Sequence, residues 1–101
     1  MGINVQLRKE DGETLEEVSD TGALAKDAVS ASMSGTRLLK YVVPWSDAIF
    51  NQAQAADLLS DVRQVAALNP GSPLGRHILE LEPLVEKLSS NPHVYLWFIG
   101  D

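Results

Sequence analysis

The stretch from His93 to Ile99 constrains the fold of this chain more than any other part of the sequence. It is the most apolar and aromatic segment, and Pro92 separates it from the residues before it. Successive side chains of a strand point to opposite faces of the sheet. Both resulting sets are apolar: Val94, Leu96 and Phe98 on one side, and His93, Tyr95, Trp97 and Ile99 on the other. We therefore expect a strand that is central in its sheet or covered on both faces.

Two other segments carry strand signals. Ile3 to Leu7 alternates apolar and polar residues, which predicts a strand with one buried face. Residues 37–43 mix β-branched and aromatic residues and stop at Pro44, which predicts a second strand. The polar stretch 8–22 contains turn signals and is interpreted as a loop. For residues 23–33, rich in Ala and Ser, a short helix and an irregular connection both stay open.

A long amphipathic helix is predicted in the middle of the chain, from an apolar stripe at three- and four-residue spacing. The stripe consists of Ala55, Leu58, Leu59, Val62, Val65 and Ala66. We expect the helix to open at Ser46 as N-cap, with Asp47 in its first turn and Trp45 against Phe50 as a hydrophobic staple. It must end by Asn69, because Pro70 and Gly71 follow.

A further helix should begin at Ser72 and Pro73, a good N-cap followed by proline at the first helical position. Its apolar stripe keeps its phase through Pro83, which favours one kinked helix over two. The stripe consists of Leu74, Ile78, Leu81, Val85 and Leu88. Asn91 and Pro92 end it.

The order of these elements predicts the α+β class: a small, about three-stranded sheet with a helical hairpin packed on one face. The last strand should run antiparallel to the strand at 37–43, because two helices return the chain to the end that it left. The 101 residues, 45% of them hydrophobic, are expected to form a single domain, 1–101.

Charge narrows the classes of partner. The formal net charge is −6, which opposes nucleic-acid binding. Six acidic residues lie between positions 10 and 20 without an intervening Lys or Arg. They are Glu10, Asp11, Glu13, Glu16, Glu17 and Asp20. Two interpretations stay open: a solvated loop, and a surface for a basic protein partner.

The sequence also bears on location. There are no cysteines and no apolar run long enough to span a membrane, and the first residues lack the basic and apolar regions of an export signal. We expect a cytoplasmic protein with no membrane partner.

No familiar catalytic motif is present, and we expect no metal and no cofactor. His77 and His93 lie in different predicted elements, and the chain has no cysteine to support them as ligands. The i,i+4 pair Asp57 and Asp61 is interpreted as a solvated helix face. An alternative ligand site consists of Trp45, Asp47, Asn51 and His93. The first three lie where the predicted strand should meet the predicted helix. Trp97, on the outward side of the last strand, offers a surface for a homodimer as a further alternative.

Two segments resemble parts of small, uncharacterised bacterial proteins. They are residues 44–51, PWSDAIFN, and residues 93–101, HVYLWFIGD. The resemblance implies a bacterial domain without enzymatic character and carries no activity, cofactor or partner.

Two functional hypotheses follow. The first is a small acidic protein-binding module, of the inhibitor or immunity type, that engages a basic partner. The second is a small-molecule-binding or enzymatic domain that uses the alternative ligand site. We favour the first, since the chain is small and acidic and lacks a catalytic motif.

Overall fold

A computed structural model of the chain describes residues 3–19 and 31–100. The expectations for residues 23–30 and for Asp20 fall outside the described residues. Within them, a short helix, α1, spans Ala31–Ser34, at the end of the segment for which a helix was one of two interpretations.

The α+β class is confirmed, with a sheet of four antiparallel strands rather than about three. The strands are β1 (Asn4–Lys9), β2 (Thr14–Val18), β3 (Ala48–Phe50) and β4 (Val94–Ile99), in the order β2-β1-β4-β3. β4 pairs with β1 on one side and with β3 on the other, so the prediction of a central last strand is confirmed.

The interpretation of residues 8–22 as a loop is wrong for Thr14–Val18, which form β2. β1 and β2 make a hairpin whose turn places Gly12 at a φ of 93°. Asp11 stabilises this turn, since its Oδ1 accepts the Glu13 N–H at 2.9 Å. β2 lies at the edge of the sheet and stays largely exposed on both faces, so its sequence lacks the apolar alternation that identifies a strand.

The strand predicted at residues 37–43 is also absent. The segment carries a 3-10 turn at Leu39–Tyr41, and the cause is a buried carboxylate. Asp61 is 1% exposed and accepts three successive backbone N–H groups, from Arg37 at 3.0 Å, Leu38 at 2.7 Å and Leu39 at 3.2 Å. These N–H groups therefore bond to Asp61 instead of to a strand, and Asp61 does not lie on a solvated helix face.

The central helix, α2, spans Ala55–Leu68 and begins later than predicted. Ser46 and Asp47 precede β3, and Trp45 is 65% exposed, so the predicted cap and staple are wrong. The observed start is a 3-10 turn at Gln52–Gln54, opened by a capping box in which the Asn51 and Gln54 side chains each bond the other residue's backbone N–H. The predicted end at Asn69 is confirmed.

Two helices follow, α3 (Pro73–Glu80) and α4 (Glu82–Ser89), where one kinked helix was predicted. Ser72 caps α3 as expected, and its hydroxyl accepts the Gly75 N–H at 3.1 Å. Leu81 separates the two helices but keeps a right-handed helical backbone, with Pro83 in the first turn of α4. The apolar stripe therefore continues unbroken, and all five of its residues are buried.

The helices and one face of the sheet enclose the core. Side chains alternate along β4, with Val94, Leu96 and Phe98 buried and the residues between them part-exposed. β1 repeats this alternation, since Val5 and Leu7 are buried. The sheet thus has an inner face against the helices and an outer face, as in a two-layer α+β fold. In the part of the chain that the structure describes, no helix is long and apolar enough to cross a membrane.

Phe98 tests the assignment of the two faces. It is 1% exposed and packs edge-on against Phe50, with ring centroids 5.7 Å apart. We expect Phe98→Ala to lower the free energy of unfolding by about 3–5 kcal/mol, as for other buried aromatic side chains. Trp97→Ala, on the outer face, should cost less in the same denaturant titration. If Trp97→Ala unfolds the protein and Phe98→Ala melts like wild type, the faces are inverted.

Asp61 tests the account of the 37–43 segment. Asp61→Asn replaces one accepting oxygen with an N–H₂ group that faces a backbone donor. We expect a loss of about 1–3 kcal/mol in the free energy of unfolding, because a buried donor is left unbonded. The matched control is Asp57→Asn on the same helix, which removes a surface ion pair with Arg37 and should cost under about 1 kcal/mol. Equal effects in a urea titration would show that the three bonds do not hold this segment.

Candidate functional site

The acidic residues singled out in the sequence lie on the β1–β2 hairpin. The described hairpin, residues 3–19, carries five carboxylates against two cations, Arg8 and Lys9, a net charge of −3. The five are Glu10, Asp11, Glu13, Glu16 and Glu17. Because they lie on a turn and an edge strand, their charge is concentrated at one edge of the sheet.

Several of these carboxylates lie close to basic side chains. Lys9 Nζ lies 3.3 Å from Glu13 and 3.9 Å from Asp11. Glu10 lies 2.9 Å from His93 Nδ1, and Glu16 pairs with a lysine of α4, Lys87. These contacts are exposed and contribute little to stability. Glu17 differs, since in the described part of the chain it forms no ion pair and its hydrogen-bond donor is the amide of Gln6.

The outer face of the sheet is the face turned away from the helices. Its residues differ in polarity and charge from one strand to the next. The strand registers align Ile49 of β3 with Trp97 of β4, Trp97 with Gln6 of β1, and Gln6 with Glu17 of β2. The row therefore runs from an apolar side chain through an indole and an amide to a carboxylate. Ile49 is 48% exposed, so its apolar surface faces solvent.

Arg8 lies in the middle of this face and contacts its neighbours there. Its guanidinium lies over the Trp97 ring, 4.5 Å from the ring centroid, in a cation–π contact. Its Nε donates to Gln6 Oε1 at 2.7 Å, and the Thr14 hydroxyl donates to the same oxygen at 3.3 Å. Tyr95 is the cross-strand neighbour of Arg8. Tyr, Trp and Arg are the residue types that most often dominate protein–protein binding energies.

The structure separates the four residues of the alternative ligand site. Asp47 lies at the end of β4, where its Oδ1 accepts the Gly100 N–H at 3.1 Å. His93 precedes the start of β4, so the length of the strand, roughly 20 Å, lies between them. Asn51 caps the helix-opening turn, and Trp45 is solvent-exposed near Asp47.

The contacts around Gly100 join residues 44–51 to residues 93–100. A Cβ at Gly100 would lie 2.6 Å from the Ser46 oxygen and 2.8 Å from the Pro44 oxygen, so the backbone can approach this closely only at glycine. The Asp47 bond and the β3–β4 pairing complete the junction. These residues therefore have a structural role, because they hold the segment before β3 against the end of β4.

The residues of the outer face were not proposed as a binding site from the sequence. The alternation along β4 did place Tyr95 and Trp97 on the outward side, which is confirmed. Arg8 and Gln6 gave no signal, because their neighbours on β4 and β2 are distant in sequence and are revealed only by the register. Among residues 3–19 and 31–100, no group of three or more His, Asp or Glu side chains could hold a metal ion.

Comparisons of the chain with models of known protein families, with curated proteins and with solved structures found no match. The hairpin and the outer face are therefore the features of the molecule that bear on its function.

Neutralising the hairpin tests whether its carboxylates act in folding. We expect the triple variant Glu13→Gln, Glu16→Gln, Glu17→Gln to keep nearly the wild-type melting temperature, because exposed substitutions usually change stability by less than about 0.5 kcal/mol each. Thermal unfolding followed by circular dichroism checks this. A clear loss of folded protein would show that the charges on β2 are structural.

Proposed function

We propose that this chain is a small protein-binding module, of the inhibitor or immunity type, that engages a basic partner protein through its acidic hairpin and the adjoining outer face. The observation that carries the proposal is the row from Ile49 through Trp97 and Gln6 to Glu17, an aromatic centre with an acidic border. Protein interfaces commonly combine an aromatic, arginine-containing centre with a polar rim.

Charge supports the choice of partner. Half of the net charge of −6 lies on the described hairpin, at the β2 edge of the sheet. A surface of one sign attracts a partner of the opposite sign and speeds the encounter, while it repels nucleic acids and anionic lipids. A cytoplasmic location belongs to the same proposal and agrees with the absence of cysteine.

The alternative, a small-molecule-binding or enzymatic domain, has less support. Asp47 and His93 lie at opposite ends of β4, and the Asp47 and Asn51 side chains bond to backbone groups. A site that needs all four residues together has no common point at which to bind a ligand.

Capture of partners by the immobilised full chain tests the proposal. We expect a basic protein to be enriched at about 50 mM salt and lost at about 300 mM, because salt screens exposed charges. The hairpin triple variant at Glu13, Glu16 and Glu17 should lower its association rate by roughly tenfold.

The matched control removes the same number of charges from the helices, as Glu80→Gln, Glu82→Gln, Glu86→Gln. It should retain wild-type binding to the captured protein. Equal losses in the two triple variants would show that net charge, and not the hairpin, drives the association. Enrichment that is insensitive to salt would contradict the proposal as well.

A further inference from the structure

The outer face presents apolar as well as acidic residues to a partner. The two kinds of residue lie on opposite sides of this face. Neighbouring strands are about 4.8 Å apart, so the row from Ile49 to Glu17 is roughly 14 Å wide. An α-helix with its side chains is about 10–12 Å in diameter. A single helix lying along β1 and β4 would therefore contact Ile49 and Trp97 with one flank and approach Glu17 with the other.

The edges of the sheet are poorly suited to adding a strand from a partner. β2 carries Glu16 and Glu17, and its pairing with β1 is interrupted by a bulge between Leu7 and Arg8. β3, at the other edge, is three residues long. Charges, bulges and short length are the features by which edge strands resist further pairing. A partner that binds the sheet would therefore lie on its outer face rather than extend an edge.

The charge of the hairpin determines which kind of partner helix would bind. Glu17 forms no ion pair among the described residues, and Glu13 and Glu10 lie further along the same hairpin. A second copy of this chain would bring another net charge of −6 to the contact, which disfavours self-association. An apolar helix without cations would leave Glu17 without an ion-pair partner.

We infer that the outer face docks an amphipathic basic helix of the partner, with its apolar stripe on Ile49 and Trp97 and its lysines or arginines against Glu17 and the hairpin. The bound helix forms a third layer on the sheet, opposite α2, α3 and α4. Arg8 is already held over Trp97 by the Gln6 bond, so the aromatic centre is ordered before binding. This inference rests on the proposed function and names the class of segment that the partner presents.

A designed peptide of about 18 residues, roughly five helical turns, is the probe. It carries Leu at i, i+3, i+4 and i+7 spacing with Lys along one flank of that stripe. Added to the isotope-labelled full chain, it should shift the amide signals of β1 and β4 and the indole N–H of Trp97. A peptide with Glu in place of each Lys should not bind. Shifts confined to the helices would overturn the inference.

Matched variants locate the contact. Ile49→Ser should weaken peptide binding by roughly tenfold, equivalent to about 1.4 kcal/mol. The control is Leu79→Ser on α3, since Leu79 is 50% exposed and Ile49 48%. Glu17→Gln should weaken binding severalfold and reduce its dependence on salt, with Glu86→Gln as its control. Equal effects of Ile49→Ser and Leu79→Ser would overturn the inference.

The same variants separate this inference from the proposed function. If the hairpin triple variant loses the captured basic protein and Ile49→Ser retains it, the basic partner stands and the helix on the outer face is wrong. If Ile49→Ser loses it and the hairpin triple variant retains it, the electrostatic function fails. Sedimentation of the free protein adds one more outcome: a dimer that Ile49→Ser dissociates would make a second copy the occupant and overturn the inference.

Discussion

The pairing of β4 between β1 and β3 is the constraint on which the rest of the structure depends. One face of β4 supplies Val94, Leu96 and Phe98 to the core beneath the helices, and the other supplies Tyr95 and Trp97 to the outer face. Because side chains alternate, a slip of one residue in this register would exchange the two sets. The same hydrogen bonds therefore fix the core and the proposed binding surface together.

The acidic hairpin has two consequences that arise from a single property. Carboxylates on an edge strand discourage the strand from pairing with other chains. They also favour a partner of opposite charge at the adjoining face. A protein with such a surface can remain monomeric although aromatic side chains lie on it, since the charge that attracts a basic protein repels a second copy of the same chain.

The elements that depend on apolar periodicity could be predicted from the sequence. β1, β4 and the end of α2 lie where expected, and the stripe from Leu74 to Leu88 is buried as a whole. The capping box of Asn51 and Gln54 was present in the sequence as well, but Ser46 and Asp47 gave a competing signal for an earlier helix start.

The elements that depend on contacts distant in sequence could not be predicted. β2 is exposed on both faces and is stabilised by pairing with β1, so its own residues carry no strand period. Residues 37–43 have the composition of a strand, but Asp61 takes their backbone N–H groups from 22 to 24 positions away. The outer-face row likewise exists only through the registers of three strand pairs. The acidic residues were enough for a binding hypothesis from the sequence. The aromatic centre beside them could be identified only from the fold.

The position of β4 in the chain also sets the timing of sheet assembly during translation. Ribosomes add about 5–20 residues per second, so β1 and β2 are synthesised on the order of ten seconds before the strand that joins them to β3. In that interval the apolar side of β1 has no partner, and nascent chains on one messenger are close together. The carboxylates of the hairpin flank this apolar strand, the placement by which gatekeeper residues limit the aggregation of apolar segments that are exposed during folding.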